Sequence, residues 1–322
     1  TEDNRLPQKS DLHDLVMKRM SWECLAEFGR RGQFGRSLER MGVGGIGLDQ
    51  SALRKDADGI LHRLREEIEA LRDLDAETFL TFLTGWLHHL RRLGAIHDAM
   101  LESYFNNRGK EYLLNRLNWM PGFGRAQRPP AALTLQHVSN NFEAVVKTKG
   151  ETWSLQWLKK TLGSESPFAG AEARQIFSII LKGLTEKHWL VERDAQGQSL
   201  WLLNPEKLQV SRTVASFRCS ECRHRIVVAE HGGAAYDGMP CMRLQCRGQL
   251  EPEKAFPSHP MRVPKQPRRL VPHEHTGLLE HDQRLRVEES FMKGEEPWDI
   301  NLLSATPTLE MGIDIGDLST VM

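Results

Sequence analysis

FRCSECRHRIVVAEHGGAAYDGMPCMRLQCRGQL, residues 217–250, holds four of the five cysteines of a 322-residue chain. Cys219 and Cys222 form a CxxC pair, Cys241 and Cys246 a Cx4C pair, with 18 residues between the pairs. A CxxC turn bends the backbone so that two thiolates face one point about 2.3 Å from a Zn²⁺ ion, and a second turn completes a tetrahedron. RIVVAE, between the pairs, reads as a strand. The neighbouring Arg218, Arg223, Arg225, Arg243 and Arg247 would favour the thiolate form.

Two alternatives stay open at this point: four reduced thiols in a small β-domain, or His224 or His231 standing in for Cys246. Four thiolates would leave no free coordination position, so the expected metal is structural and not catalytic. The expected module is ribbon-like, and a segment this small depends on its metal to fold. Cys24, alone in SWECLAEFG, is expected to be an ordinary buried thiol.

Outward from this segment, composition sets limits. The chain carries 43 basic and 43 acidic residues, which excludes a polycation but not local basic patches. No apolar run reaches the roughly 18 residues of a membrane span, and TEDNRLPQKS is no signal peptide. A soluble, cytoplasmic protein without a membrane partner is the expectation.

Residues 1–120 read as helical. Leu12, Leu15, Val16, Met20 and Leu25 suggest one inward face; Ile60, Leu61, Leu64, Ile68, Leu71 and Leu74 give a second stripe. GVGGIG at 42–47 reads as a flexible break. GRRGQFGRS fails as a phosphate loop, because five residues separate Gly29 from Gly35 and Arg36 stands where lysine is needed. PGFGRAQRPP, 121–130, reads as a linker. In 131–212 two amphipathic helices, the second with Ile176, Ile180, Leu181 and Leu184 inward, run into the hairpin LVERDAQGQSLWLL. Helices followed by a hairpin predict a winged helix, with Lys182, Lys187 and Arg193 as the residues expected to contact nucleic acid and Lys159 and Lys160 as further basic residues on the first helix. The same fold also serves as a pure packing module. The cysteine module is placed at 213–255.

Residues 256–322 predict a β-α-β unit: RRLVP as strand, LEHDQRLRVEESFMKG as helix with Leu285 and Phe291 inward, INLLSA as a strand apolar on both faces. In parallel sheets ligands sit at the carboxyl ends of strands. There the hydroxyls of Thr276 and Thr306 suit phosphate oxygens, and Asp314 suits ribose hydroxyls.

On these residues the segment resembles the second RecA-like domain of superfamily 2 DNA/RNA helicases. EHTGLL resembles the histidine/threonine-glycine element before the helix, and SATPTLEMGIDIGDLS resembles motif V. The resemblance implies that Thr276, Gly277 and Thr306 touch the nucleic-acid backbone, and that Gly312 and Asp314 line the ATP side of a cleft. LEMGIDIGDLS beside a cysteine module is also similar to large bacterial zinc-binding helicases, several of which act in antiphage defence.

Departures accompany the likeness. The sequence has no Walker A lysine, acidic box or arginine-bearing motif VI, and KAFPSHPMRVPKQP is proline-rich where a first strand is expected. The expectation is therefore a piece of a longer enzyme, inactive alone, with ATP and Mg²⁺ bound only in the complete protein. Its partners would be the rest of the helicase chain, nucleic acid with DNA favoured over RNA, and defence-system proteins. The expected fold class is multidomain α+β: helical region, winged helix, zinc ribbon and a partial RecA-like α/β parallel sheet. The rival is a non-enzymatic winged-helix and zinc-ribbon binding module.

Overall fold

A computed structural model describes residues 9–30, 37–110, 129–138, 141–147, 150–163, 170–253, 270–276, 278–296 and 298–305. The chain divides into two compact units, Thr1–His259 and Pro260–Met322. The first is mixed α+β. It runs α1 (Lys9–Cys24), a π-helical turn, α2 (Leu38–Met41), β1 (Gly45–Leu48), α3 (Gln50–Glu67), α4 (Ala76–Leu93) and α5 (Glu102–Asn106). Then follow β2 (Leu133–Thr134), β3 (Glu143–Ala144), α6 (Trp153–Leu162), α7 (Gly170–Glu186), β4 (Leu190–Asp194), β5 (Ser199–Leu203), β6 (Leu208–Ser211), β7 (Val214–Cys219), β8 (Arg225–Ala229) and β9 (Leu250–Pro252). No helix of the described residues is long and apolar enough to cross a membrane.

Local chemistry sets the helix ends. Asp49, Asp75 and Thr152 cap α3, α4 and α6 by accepting from the backbone N–H groups of Ala52, Thr78 and Leu155. Gly94 and Gly163 close α4 and α6 in the left-handed conformation. The expected stripe of Ile60, Leu61, Leu64, Ile68, Leu71 and Leu74 is buried, as are Ile176, Ile180, Leu181 and Leu184 of α7. α1 and the π-helical turn after it differ: Val16 and Met20 are exposed, and Trp22, Ala26 and Phe28 are buried instead. Cys24 is exposed. It follows buried Trp22 by two positions, roughly 200° around the helix.

One hydrophobic cluster runs from Trp22 through α3, α4 and α7 to Phe217, Cys219 and Leu250. The boundaries drawn from sequence near 130 and 212 are therefore not breaks in the core, and the helical layer, the hairpin and the cysteine module share one interior. The hairpin forms as read, with Leu190 opposite Leu203 and Asp194 opposite Ser199. It belongs to a four-stranded sheet of order β3-β2-β5-β4.

The glycine run at 42–47 is not a loose break. Gly45–Leu48 is strand β1, fully buried and antiparallel to β6. Its glycines permit backbone contact: a Cβ on Gly45 would stand 3.0 Å from the carbonyl carbon of Val228, and one on Gly47 2.8 Å from His231 Nε2. β1 thereby seats the helical region directly on β8 of the cysteine module, whose sheet has the order β8-β7-β9.

The second unit contains β10 (Pro272–His275), α8 (His281–Lys293) and β11 (Leu302–Ala305), with β10 and β11 parallel. The strand expected at RRLVP instead begins at Pro272 and takes in Glu274 and His275. Pro272, His273 and Glu274 are exposed, so pairing with β11, and not an apolar pattern, fixes its position. α8 buries Val287, while Leu285 is 43% exposed. His275 is buried, with Nε2 2.7 Å from a Glu288 carboxylate oxygen. Leu302 of β11 is exposed among the described residues, so the double covering expected of this strand is not present there.

Candidate metal centre

β7 ends on Cys219 and turns tightly into β8, which puts Cys222 in the turn. The turn closes with the Cys219 N–H donating to the His224 carbonyl at 2.8 Å, and with Arg223 left-handed at φ 60°. The second pair lies in the loop that the Pro240–Gln249 bridge closes just before β9. There Cys246 N–H donates to the Arg243 carbonyl at 3.0 Å and Cys241 N–H to that of Gly248 at 2.9 Å.

The four sulfurs converge, all within 4.8 Å of one another. Cys219 Sγ is 3.5 Å from Cys246 Sγ, and Cys222 Sγ is 3.6 Å from Cys241 Sγ. Disulfide sulfurs would lie about 2.05 Å apart, and all four cysteines are free thiols. A tetrahedron with metal–sulfur bonds of about 2.3 Å has edges of about 3.8 Å, so these spacings fit four sulfurs around one ion. The cluster could hold a metal ion such as zinc.

The surroundings suit that role. Gly248 N–H donates to Cys246 Sγ at 3.4 Å. A Cβ at Gly248 would stand 2.7 Å from Cys219 Sγ, so only glycine lets this backbone approach the sulfur. Burial pushes the Cys241 thiol well above its ordinary value, opposed by a backbone hydrogen bond from Arg243 and aided by the Cys222 and Cys219 side chains. An unaided thiolate is thus disfavoured there, and a divalent cation is what would draw the proton off.

α6 fastens the second turn. Lys160 Nζ donates to the carbonyls of Cys241 at 2.5 Å, Cys246 at 2.6 Å and Arg243 at 3.1 Å. Behind the module, His88 Nδ1 on α4 lies 3.0 Å from the Tyr236 hydroxyl, both residues buried.

The histidine substitutes are not in the cluster. His231 faces Gly47 of β1. His224 turns to a separate arginine-rich cavity, where burial, then Arg92, Arg243 and Arg40, lower its pKa to about 4. The arginines expected to serve the thiolates divide. Arg225 forms a two-pronged pair with Glu253 at 2.6 and 2.9 Å, and Arg218 lies 3.8 Å from the same carboxylate. Arg223 and Arg243 line that cavity.

The basic residues on the two helices and the hairpin do not form one surface. Lys159 pairs with Glu151 at 2.5 Å, and Lys160 is spent on the cysteine turn. Lys182 is exposed but lies in a groove between α3 and α7 beside Glu67 and Glu186. Arg63 of α3 binds Glu186 there at 2.8 Å. Lys187 is exposed in the turn after α7. Arg193 is half-buried and donates to His97 Nε2 at 2.9 Å, so it is held to the helical layer and is not free at the hairpin tip. In the second unit Thr276 is half-buried just past β10; Gly277, Thr306, Gly312 and Asp314 lie outside the described residues.

Sequence reasoning missed Lys160 as a clamp, the buried Arg91–Glu39 pair, and the convergence of Arg40, Arg223 and Arg243. Nothing in the local sequence joins Lys160 to residue 241, Glu39 to Arg91 or Arg40 to Arg223, since each pair is more than 50 residues apart. The chain matches no known family model, curated protein or solved structure.

Proposed function

We propose that this chain is an internal part of an ATP-dependent nucleic-acid helicase or translocase of superfamily 2, stiffened by a structural Zn²⁺ ion on Cys219, Cys222, Cys241 and Cys246. The observation that carries the motor reading is the parallel pairing of β10 with β11. Their last residues, His275 and Ala305, are partners in register. Both strands therefore deliver the chain to one end of the sheet, at the points where the sequence continues with Thr276 and with Thr306. That is the strand-end position where α/β folds bind ligands, and it agrees with the likeness of EHTG and SATPTLEMGIDIGD to helicase elements. On this reading Thr276, Gly277 and Thr306 grip a strand's phosphates while Gly312 and Asp314 face ATP. Cleft closure on ATP and reopening after hydrolysis move the strand.

The hairpin β4–β5, β2 beside it, and helices α4, α6 and α7 support a winged-helix-like role in guiding the duplex. The zinc module braces that element, since a closed four-sulfur site offers no position for catalysis. The test is made on the complete enzyme. It should show nucleic-acid-stimulated ATPase activity, lose stimulation in Thr306→Ala and lose coupling of hydrolysis to unwinding in Asp314→Ala; normal unwinding by both variants rejects the role.

The second reading is a non-enzymatic binding module. It is favoured by one observation: α7, the helix a winged helix would present, is docked on α3, with Gly183 against Ile60 and Glu186 bound to Arg63. A complete protein without a lysine loop, acidic box or ATPase activity would decide for this reading.

A further inference from the structure

A cavity of about 390 Å³ lies where α2, α4, the turn into β8 and the second cysteine turn meet. Arg40, Arg91, Arg92, Arg223, Arg225 and Arg243 all line it, against one carboxylate, Glu39. That carboxylate is consumed by Arg91, which holds it at 2.8 and 3.4 Å with both groups buried. Arg225 is consumed by Glu253. Arg40, Arg223 and Arg243 have no ion-pair partner among the described residues, and all three side chains are exposed to the cavity's solvent.

We propose that this cavity is a binding site for a phosphate group. Guanidinium forks match phosphate oxygens two at a time. Here three of them, drawn from residues 40, 223 and 243, face one space and form no ion pair among the described residues. Mutual repulsion must be borne to hold them together, and a dianion between them relieves it. Crowding is felt in the walls too: burial, then Arg91, lower Arg92 to about 10, with Glu39 opposing and Arg40 adding. The volume sits near the lower end of small-ligand sites, roughly 300–1,000 Å³. It admits a single phosphate, a diphosphate or one phosphodiester of a strand, not a duplex. The inference does not need the helicase reading, for the cavity belongs to the first unit alone.

The test uses the zinc-loaded chain, with pyrophosphate as probe by calorimetry, and single-stranded oligonucleotide and ATP as two further arms. The triple variant Arg40→Gln, Arg223→Gln, Arg243→Gln should weaken pyrophosphate binding at least tenfold. If a strand supplies the phosphate, the same variant lowers the slope of log affinity against log salt for the oligonucleotide by about 1 to 2. If a free nucleotide supplies it, ATP affinity falls and the oligonucleotide slope stands. Zinc content and thermal midpoint are measured alongside. Should the triple variant lose zinc, Arg40→Gln alone, remote from the cysteines in sequence, is used and must weaken pyrophosphate about threefold. No pyrophosphate binding by the wild-type chain, or equal binding by the variants, overturns the site. The motor reading would fail separately, through absent ATPase activity in the complete enzyme.

Discussion

Lys160 Nζ, on α6, lies 2.6 Å from the carbonyl oxygen of Cys246. With the carbonyls of Cys241 and Arg243 also accepting from it, one ammonium uses all three of its donors on a single turn of the backbone. A cysteine turn spaced Cx4C is longer than a CxxC turn, and these bonds remove its slack by tying it to a helix of the shared core. Groups that orient ligands in this way typically change metal affinity 10- to 100-fold when removed.

Lys160→Met should therefore release zinc to a chromogenic chelator at least tenfold more readily than the wild type. The change keeps the aliphatic stem and removes only the donors. Lys160→Arg should recover part of the loss. Equal release rates for wild type and Lys160→Met would show that the turn holds its shape unaided.

Metal content is the more direct reading of the same site. Elemental analysis should give one zinc per chain, released by a thiol-blocking mercurial, and Cys219→Ser should abolish it. Because Cys219 and Leu250 belong to the same cluster as α3 and α4, loss of metal should lower the thermal midpoint of the entire first unit. A fully reduced, metal-free chain with an unchanged midpoint contradicts the assignment.

Much of this was legible in the sequence where the signal was local and periodic. The stripes of α3 and α7, the β4–β5 hairpin and the four cysteines depend on neighbours within a turn, a strand or a motif. The misreadings share a different cause. GVGGIG looks like a break because glycine has no pattern of its own; its reason for being glycine is the Val228–Ala229 backbone, some 180 residues on. β10 was misplaced because its side chains are polar and exposed and its position comes from β11. Charge on a helix likewise says nothing of which partner is folded against it, as Lys159 and Lys160 show.

His88 gives the first unit a pH dependence. Burial, then Arg91 and Arg92, hold its pKa well below the ordinary imidazole value, so the native state keeps it neutral beside Tyr236. An unfolded chain protonates it near pH 6.5. The stabilisation is complete above that pH and shrinks as pH falls toward the lower native value, by up to about 1.4 kcal/mol per pH unit. Denaturant unfolding of wild type and His88→Gln between pH 7.5 and about 5.5 should show the difference in stability narrowing on acidification. A constant difference across that window rules out a neutral His88 as its source.

Close packing of α4 on α6 turns on Gly85. A Cβ there would stand 2.7 Å from Cε2 of Trp157, a fully buried ring whose Nε1 donates to the Phe82 carbonyl at 3.0 Å. Gly85→Ala should cost about 1–3 kcal/mol through overpacking, despite alanine's better helix propensity, and pairing it with Trp157→Phe should restore part of the loss. Stabilisation by the single change would show that the two helices can separate without penalty.

The Arg91–Glu39 pair offers a sharper contrast, because both groups are almost fully buried and hold separate parts of the chain together. Arg91 Nη1 donates to Glu39 Oε1 at 2.8 Å and to the Phe28 carbonyl at 2.6 Å, and the Ile46 N–H donates to the same Glu39 oxygen at 3.4 Å. The pair thus joins the π-helical turn, α2, β1 and α4. Removing one charge strands the other in a poor solvent, which costs about 3–5 kcal/mol, whereas replacing both by apolar groups of similar volume is often near neutral. Glu39→Ala should lower unfolding stability by about that amount, and Glu39→Met with Arg91→Leu should regain most of it. The Phe28 carbonyl and Ile46 N–H left behind, each costing on the order of 1 kcal/mol at the least, set the remaining deficit. Should Glu39→Ala prove as stable as the double variant, solvent from the arginine-lined cavity must reach Arg91, and the pair would not be what holds these segments together.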